Sequence, residues 1–211
     1  MISPKHECIF VHIPRTAGSS IENILWPGPR SVSELWGGVV EKNLNKYQTG
    51  GLQHLFAEHV RMEVGSNTFN QYFKFSFMRN PWDKAVSQFH YMRERKNLRK
   101  FIGMELDDSF KKYLALIQRK IHVQWDEQYK FISNENGDIM VDFLGRFENL
   151  EQDLNKVLNR LGVRMVRISF HRPYYEYYDD EAIGIVQSMY KRDIDMFGYE
   201  FHDIEGRETS T

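Results

Sequence analysis

A short stretch near the start of the chain combines a cation, hydroxyl groups and small side chains in an order that suits anion binding. Residues 15–20 read Arg-Thr-Ala-Gly-Ser-Ser, and they follow the mostly apolar run Cys8–Ile13. Apolar residues at helical spacing then begin at Ile21. A helix that starts here would direct free backbone N–H groups and its positive dipole end at the turn. The stretch therefore predicts a site for a nucleotide-type anion.

The same pattern also fits an ordinary connection between a strand and a helix, because such turns are often rich in Gly and Ser. A Walker A loop is excluded, since no GxxxxGK[ST] pattern occurs here. Arg15 and the hydroxyl groups favour the anion site. On these residues alone, both interpretations stay open.

A second cation follows another apolar run. Phe73–Met78 is aromatic-rich and alternates at first, which predicts a strand, and Arg79 comes directly after it. Asn80 and Pro81 match a helix N-cap and the first helical position. Ser87 falls on that helix. Cations and hydroxyls at two neighbouring turns suggest that two phosphate-like groups of one ligand are held.

The elements that position these turns alternate between strands and helices, which predicts an α/β fold with a mainly parallel sheet. Ligands of such sheets bind at the carboxyl ends of the strands. A further strand is expected over Ile139–Leu144. The clearest helix begins at Leu150, and Gly162 ends it. Other helices are predicted over Gln53–Val64, Ser109–Gln118 and Asp180–Phe197.

Length and composition exclude several classes of protein. At 211 residues without a linker or repeat, the chain is expected to form one domain over residues 1–211. A net charge of −1 lacks the excess of positive charge that is typical of proteins that bind nucleic acids. The single Cys8 excludes an intramolecular disulfide and is expected to be a small buried apolar group. Without a signal-peptide pattern or a long apolar stretch, a cytoplasmic protein with no membrane span is expected.

Taken together, the two turns resemble motifs of the sulfotransferase family. HIPRTAGSS at residues 12–20 is similar to the 5′-phosphosulfate loop of carbohydrate-type members, which commonly read HIPKTAGTS. FSFMRNPWDKAVSQFHYM at residues 75–92 is similar to the 3′-phosphate motif, RNPxDRxxSxY. VDFLGRFENLEQDL at 141–154 and DIDMFGYEF at 193–201 are further matches. The motifs occur in order over nearly the whole chain.

The resemblance implies a P-loop NTPase-like three-layer sandwich with a mainly parallel central sheet. It also implies transfer of the sulfonate of 3′-phosphoadenosine 5′-phosphosulfate (PAPS) to a hydroxyl of a saccharide, glycoconjugate or other small acceptor. The residues carried over for the 5′-phosphosulfate are Arg15, Thr16, Ala17, Gly18, Ser19 and Ser20. Those for the 3′-phosphate are Arg79 and Ser87. Arg172, in a tyrosine-rich stretch suited to stacking on a ring, is a further candidate contact.

Arg15 stands where the family usually has Lys. An arginine keeps the positive charge and can stabilise charge in the reaction, but it does not readily donate a proton. The acceptor hydroxyl must lose a proton, and a His or carboxylate suits this role. His54 is the first candidate, because related enzymes commonly present a catalytic His between the two motifs. His59 is the second.

No metal is expected, since the chain has no HExxH motif and His54 and His59 are not at metal-ligand spacing. Two other functions stay open. One is a nucleotide kinase-like P-loop enzyme, against which the missing Walker lysine argues. The other is a non-catalytic module that binds PAPS or its product, 3′-phosphoadenosine 5′-phosphate (PAP). The acceptor and the oligomeric state are not predicted.

Overall fold

The computed structural model describes residues 1–28, 52–167 and 173–201. The chain forms two compact units, one from the described residues of Met1–Met78 and Gln128–Phe170, the other from those of Arg79–Glu127 and His171–Thr211. A single domain over residues 1–211 stays a prediction.

The strands are β1 (Ile2–Ser3), β2 (Cys8–Val11), β3 (Phe73–Met78) and β4 (Phe143–Arg146). The helices are α1 (Gly18–Leu25), α2 (Ala57–Val64), α3 (Ser66–Gln71), α4 (Pro81–Glu94), α5 (Lys96–Ile102), α6 (Phe110–Ile117), α7 (Tyr129–Ile132), α8 (Leu150–Arg160), α9 (Asp180–Met189) and α10 (Lys191–Phe197).

The first unit is built on a sheet whose described strands pair in the order β1-β2-β3-β4. β1 is antiparallel to β2, whereas β2, β3 and β4 run parallel. Val11 pairs with Ser76, and Met78 pairs with Arg146. The carboxyl ends of the three parallel strands therefore meet at one edge. The α/β class with a mostly parallel sheet is confirmed.

The core of this unit explains why the strand residues are so apolar. All four residues of β2 are buried, as in strands covered on both faces. The ring of Phe10 stacks on that of Phe75, with 5.0 Å between centroids. Cys8 has no exposed surface, and burial raises the pKa of its thiol to about 12. The thiol packs as a small apolar group, as predicted.

Helix α4 in the second unit begins where the sequence predicts. The side chain of Asn80 accepts a hydrogen bond of 3.0 Å from the N–H of Trp82, and Pro81 is the first helical residue. Ser109 caps α6 in the same way, accepting 3.2 Å from the N–H of Lys112. Both caps satisfy a donor that lacks a partner within its helix.

The strand predicted over Ile139–Leu144 was placed too early. β4 covers Phe143–Arg146, and Ile139 instead forms an isolated antiparallel bridge with Ser133. Parallel pairing is set at Asp142, whose N–H donates to the carbonyl of Lys74 at 2.8 Å and whose carboxylate accepts from the N–H of Lys74 at 2.8 Å. Apolar character alone did not reveal this register.

A close contact explains the glycine inside β4. A Cβ atom at Gly145 would lie 2.3 Å from a carbon of the Phe77 ring, far inside van der Waals contact. Only a residue without a side chain fits beside this ring. The bounds predicted for this strand, Ile139–Leu144, end before Gly145, which is a second consequence of the misplaced boundary.

Two helix predictions also need correction. The helix expected over Asp180–Phe197 is divided into α9 and α10 at Tyr190. The phenol of Tyr190 donates to the carbonyl of Trp125 at 3.0 Å, and its buried ring anchors the break. The helix expected over Gln53–Val64 is a 3-10 turn at Leu52–His54 followed by α2.

Candidate functional site

The segment between β2 and α1, residues 14–20, forms the candidate anion loop. Arg15 has φ 68° and Ala17 has φ 67°, values in the left-handed region that non-glycine residues rarely occupy. Such residues cost of order 1–3 kcal/mol each and concentrate at functional sites. Ala17 directly precedes α1, and its side chain provides no cap. The first N–H groups of α1 cannot be satisfied within the helix, so they and its dipole favour an anion.

The side chains of the loop divide between structural and accessible positions. Thr16 is fully buried, and its hydroxyl donates to the carbonyl of Ile13 at 2.9 Å. Thr16 therefore fixes the turn. Ser19 is exposed, whereas Ser20 and Arg15 are half-buried. These three side chains provide hydroxyl and guanidinium groups suited to a phosphate or sulfonate.

Gly18 is required at the first position of α1 by the ring of His12. A Cβ at residue 18 would lie 1.9 Å from His12 Nε2. The imidazole thus packs directly against the helix start. His12 is 6% exposed, and its Nδ1 lies 2.7 Å from Oε1 of Glu22, a buried residue one turn into α1.

The first base candidate, His54, lies against His12. Its Nδ1 donates to the backbone carbonyl of His12 at 3.1 Å, and the two rings meet edge to face with 4.6 Å between centroids. His54 is 8% exposed. The second candidate, His59, lies on α2, where its ring stacks on Phe56 and burial lowers its pKa below the usual value. The structure thus places His54 against His12, whose ring packs on Gly18 of the anion loop, and the role of His54 as base stays a prediction.

The second anion candidate starts at Arg79, in the second unit. Its Nε and Nη2 donate to the two carboxylate oxygens of Asp83, each at 2.7 Å. These two hydrogen bonds to one carboxylate hold the plane of the guanidinium in one orientation. Ser87 is half-buried one helical turn beyond Asp83, on the same face of α4. Arg79, Asp83 and Ser87 therefore follow one another along the start of the helix.

Lys84 on the same helix is buried, with 1% of its surface exposed. Its Nζ donates to the carbonyl of Asp126 at 3.1 Å and lies 5.0 Å from the centre of the Tyr190 ring. Burial lowers the pKa of Lys84 from 10.5 to about 8, although Asp193 and Asp126 favour the charged form. The amine is therefore closer to neutrality than an ordinary lysine.

We expect this lysine to make stability depend on pH. Above pH 8 the folded state loses the proton, whereas the unfolded state keeps it up to about 10.5, so the unfolded state binds more protons and stability rises with pH. Between pH 7 and 10, wild type should gain on the order of 3 kcal/mol relative to Lys84→Met. Urea unfolding of both proteins measures the difference. If the free energies of unfolding of the two proteins changed with pH in the same way, Lys84 would stay charged in the folded state.

Some predicted site residues lie outside the described residues or serve the core. Arg172 lies outside them. Tyr178 donates to the carbonyl of Trp82 at 2.7 Å and packs on Phe110 and Phe201, so this tyrosine contributes to packing.

Across residues 1–28, 52–167 and 173–201, no His, Cys, Asp or Glu cluster could hold a metal ion. In the same ranges, no helix has the length and apolarity needed to cross a membrane.

Glu22 and Asp83 are site residues that the sequence reasoning missed. Asp83 follows Arg79 by four residues at a helix start, a spacing that favours an ion pair. Glu22 follows the glycine-containing turn by one helical turn, which brings it back towards the end of β2. Both signals were available in the sequence.

Comparison with known proteins shows which proteins this chain is similar to. An uncharacterised protein from Archaeoglobus fulgidus is 32% identical over 108 residues, which cover 49% of this chain and 79% of that protein. No solved structure gave a match. The family model described as "Sulfotransferase family" matches residues 1–200. The chain, with its glycine-containing turn after β2 and its Arg79 turn after β3, belongs to the sulfotransferase family.

Proposed function

We propose that the protein transfers the sulfonate group of PAPS to a hydroxyl of a saccharide, glycoconjugate or other small acceptor. His54 contacts His12, whose ring packs against Gly18 of the anion loop, and this placement is the observation that carries the proposal. A proton acceptor beside an anion site is what sulfonate transfer to an alcohol needs. Family membership supports sulfotransfer as the reaction class. A P-loop-like sandwich and a cytoplasmic location belong to the proposal as well.

The residues of the loop fit the charged end of this donor. Arg15, Ser19, Ser20 and the first N–H groups of α1 offer a cation and donors for the 5′-phosphosulfate. Thr16, Ala17 and Gly18 give the backbone its shape, because Thr16 locks the turn and Gly18 leaves room for His12. Arg79 and Ser87 would hold the 3′-phosphate. The family resemblance assigns both groups to one donor.

The chemistry requires charge stabilisation and proton removal. As the acceptor oxygen attacks sulfur, negative charge develops on the oxygen that links sulfur to the leaving phosphate. Arg15 and the α1 dipole lie on the segment that would face this charge, and preorganised donors of this kind often provide the largest part of a rate enhancement. His54 would take the proton of the attacking hydroxyl.

Transfer of label is the direct test. Sulfur-labelled PAPS is incubated with the protein and a panel of glycans and small alcohols, with EDTA present. We expect label to appear on one acceptor without added metal. A nucleotide kinase would instead consume ATP and need Mg²⁺, and a binding module would bind PAP by calorimetry without turnover. Absence of both turnover and PAP binding would overturn the proposal.

Arg79→Ala is expected to weaken PAP binding by about 10- to 100-fold, because a hydrogen-bonded charge contact contributes roughly 1.5–3 kcal/mol. Binding of adenosine 5′-phosphate, which has no 3′-phosphate, should change little. Isothermal calorimetry with both nucleotides measures the coupling between the arginine and that phosphate. Equal losses for the two ligands would contradict the assignment.

Arg119→Ala is the matched control for this measurement. Arg119 is an exposed arginine of the same unit, and its replacement removes the same charge. We expect Arg119→Ala to bind both nucleotides like wild type. A similar loss of nucleotide affinity in both variants would mean that the net charge of the protein, rather than the guanidinium of Arg79, attracts the ligand.

A further inference from the structure

A buried histidine–carboxylate pair underlies the anion loop. His12 Nδ1 and Glu22 Oε1 are 2.7 Å apart, and both residues are less than a tenth exposed. His12 directly follows β2, and Glu22 lies on α1. The pair therefore joins the two elements between which the loop runs. The His12 ring also fills the space beside Gly18, at the first position of α1.

The backbone carbonyl of His12 determines which nitrogen of His54 carries a proton. A backbone carbonyl can only accept a hydrogen bond, so the contact of His54 Nδ1 with the His12 carbonyl, at 3.1 Å, requires hydrogen on Nδ1. In a neutral imidazole the lone pair then resides on Nε2. The edge-to-face contact with the His12 ring restricts rotation of the His54 ring.

We propose that Glu22 and His12 are positioning residues for His54: the His12 carbonyl holds the Nδ1–H form, and the His12 ring, kept in place by Glu22, fixes the orientation of the imidazole, so that Nε2 is the atom that accepts the proton of the acceptor hydroxyl. This inference rests on the proposed sulfotransferase function. In the step, the acceptor O–H bond breaks and its proton bonds to Nε2, while the oxygen bonds to sulfur. The bond between sulfur and the phosphate oxygen breaks, and its electron pair leaves with PAP. The imidazolium then returns the proton to solvent.

Glu22 acts through His12 in this arrangement. Without the carboxylate, Nδ1 of His12 loses the group that lies 2.7 Å from it, and the ring can adopt another rotamer. His54 would then lose the ring against which it packs, although its backbone acceptor remains. Turnover should therefore suffer more than donor binding, as when a residue that orients a ligand or base is removed.

The first test compares Glu22→Ala with Glu22→Gln. We expect Glu22→Ala to lower kcat by about 10- to 100-fold with PAP affinity close to wild type. Glu22→Gln should recover most of kcat, because its amide oxygen can occupy the same place beside Nδ1 of His12. A loss of PAP affinity as large as the loss of kcat would overturn the proposal, since Glu22 would then only maintain the loop. Wild-type kcat in Glu22→Ala would overturn it too.

The second test reads the tautomer directly and does not depend on activity or on the Glu22 variants folding. Wild-type protein with ¹⁵N-labelled histidine is studied by NMR, and the His54 signals are assigned by their absence from His54→Asn. We expect a protonated Nδ1 and an unprotonated Nε2. A predominant Nε2–H form would overturn the inference. If PAPS is never turned over but the Nδ1–H form is found, the proposed function fails while the positioning by His12 stands.

Discussion

Replacing His54 with asparagine is expected to lower kcat by about 10²- to 10⁴-fold, the usual contribution of a general base. The amide nitrogen of asparagine occupies nearly the place of Nδ1, so the hydrogen bond to the His12 carbonyl can persist. What disappears is Nε2, the only atom of the side chain that the proposal uses for chemistry. PAP affinity should stay close to that of wild type. Steady-state kinetics with the best acceptor and calorimetry with PAP measure the two quantities.

His59→Asn is the matched control. His59 is the second base candidate, and its ring packs on Phe56 of the same unit. We expect its replacement to leave kcat within the range of an ordinary surface substitution. If His59→Asn loses more activity than His54→Asn, the base assignments are reversed. If both variants keep full turnover, neither histidine accepts the proton.

Replacing Arg15 with alanine is expected to lower kcat by about 10²- to 10³-fold, which is typical for removal of one preorganised donor at a developing negative charge. Arg15→Lys should keep most of the activity, since it retains the charge and restores the residue that the family usually has. The measurement is kcat with PAPS and the same acceptor. Equal activity of Arg15→Ala and wild type would show that the side chain does not face the reacting group.

The backbone at this position needs its own control, because Arg15 has φ 68°. Alanine and arginine are both disfavoured there, whereas glycine adopts this conformation readily. We expect Arg15→Gly to be as slow as Arg15→Ala, although it is the less strained protein. Recovery of activity in Arg15→Gly would mean that the conformation of the loop, rather than the guanidinium, is what matters.

The sequence revealed those parts of the fold that depend on local chemistry. β3 was predicted at its observed bounds, and the start of α4 at Asn80 and Pro81 was correct, because a cap and a proline act within a few residues. β4 was misplaced because its register depends on Lys74, which lies far away in the chain. Local apolarity does not reveal such a partner.

The candidate site was predictable to a similar extent. The anion loop followed from residue types and from the family resemblance, while its two positive φ angles did not. The place of His54 beside His12 joins residues 42 positions apart and was not predicted; the resemblance indicated only a catalytic His between the two motifs. The His12–Glu22 contact was not predicted either.

Cys8 has a practical consequence for spectroscopy. It is the one cysteine of the chain, it has no exposed surface, and the pKa of its thiol is about 12. Maleimides and iodoacetamides react with accessible thiolates, so the folded protein should behave towards them as if it had no cysteine. A fluorophore could therefore be attached through Asn23→Cys, at an exposed position of α1 beyond the anion loop, without first removing the native thiol. Nucleotide binding would then be followed by the emission of a single dye in the otherwise native chain.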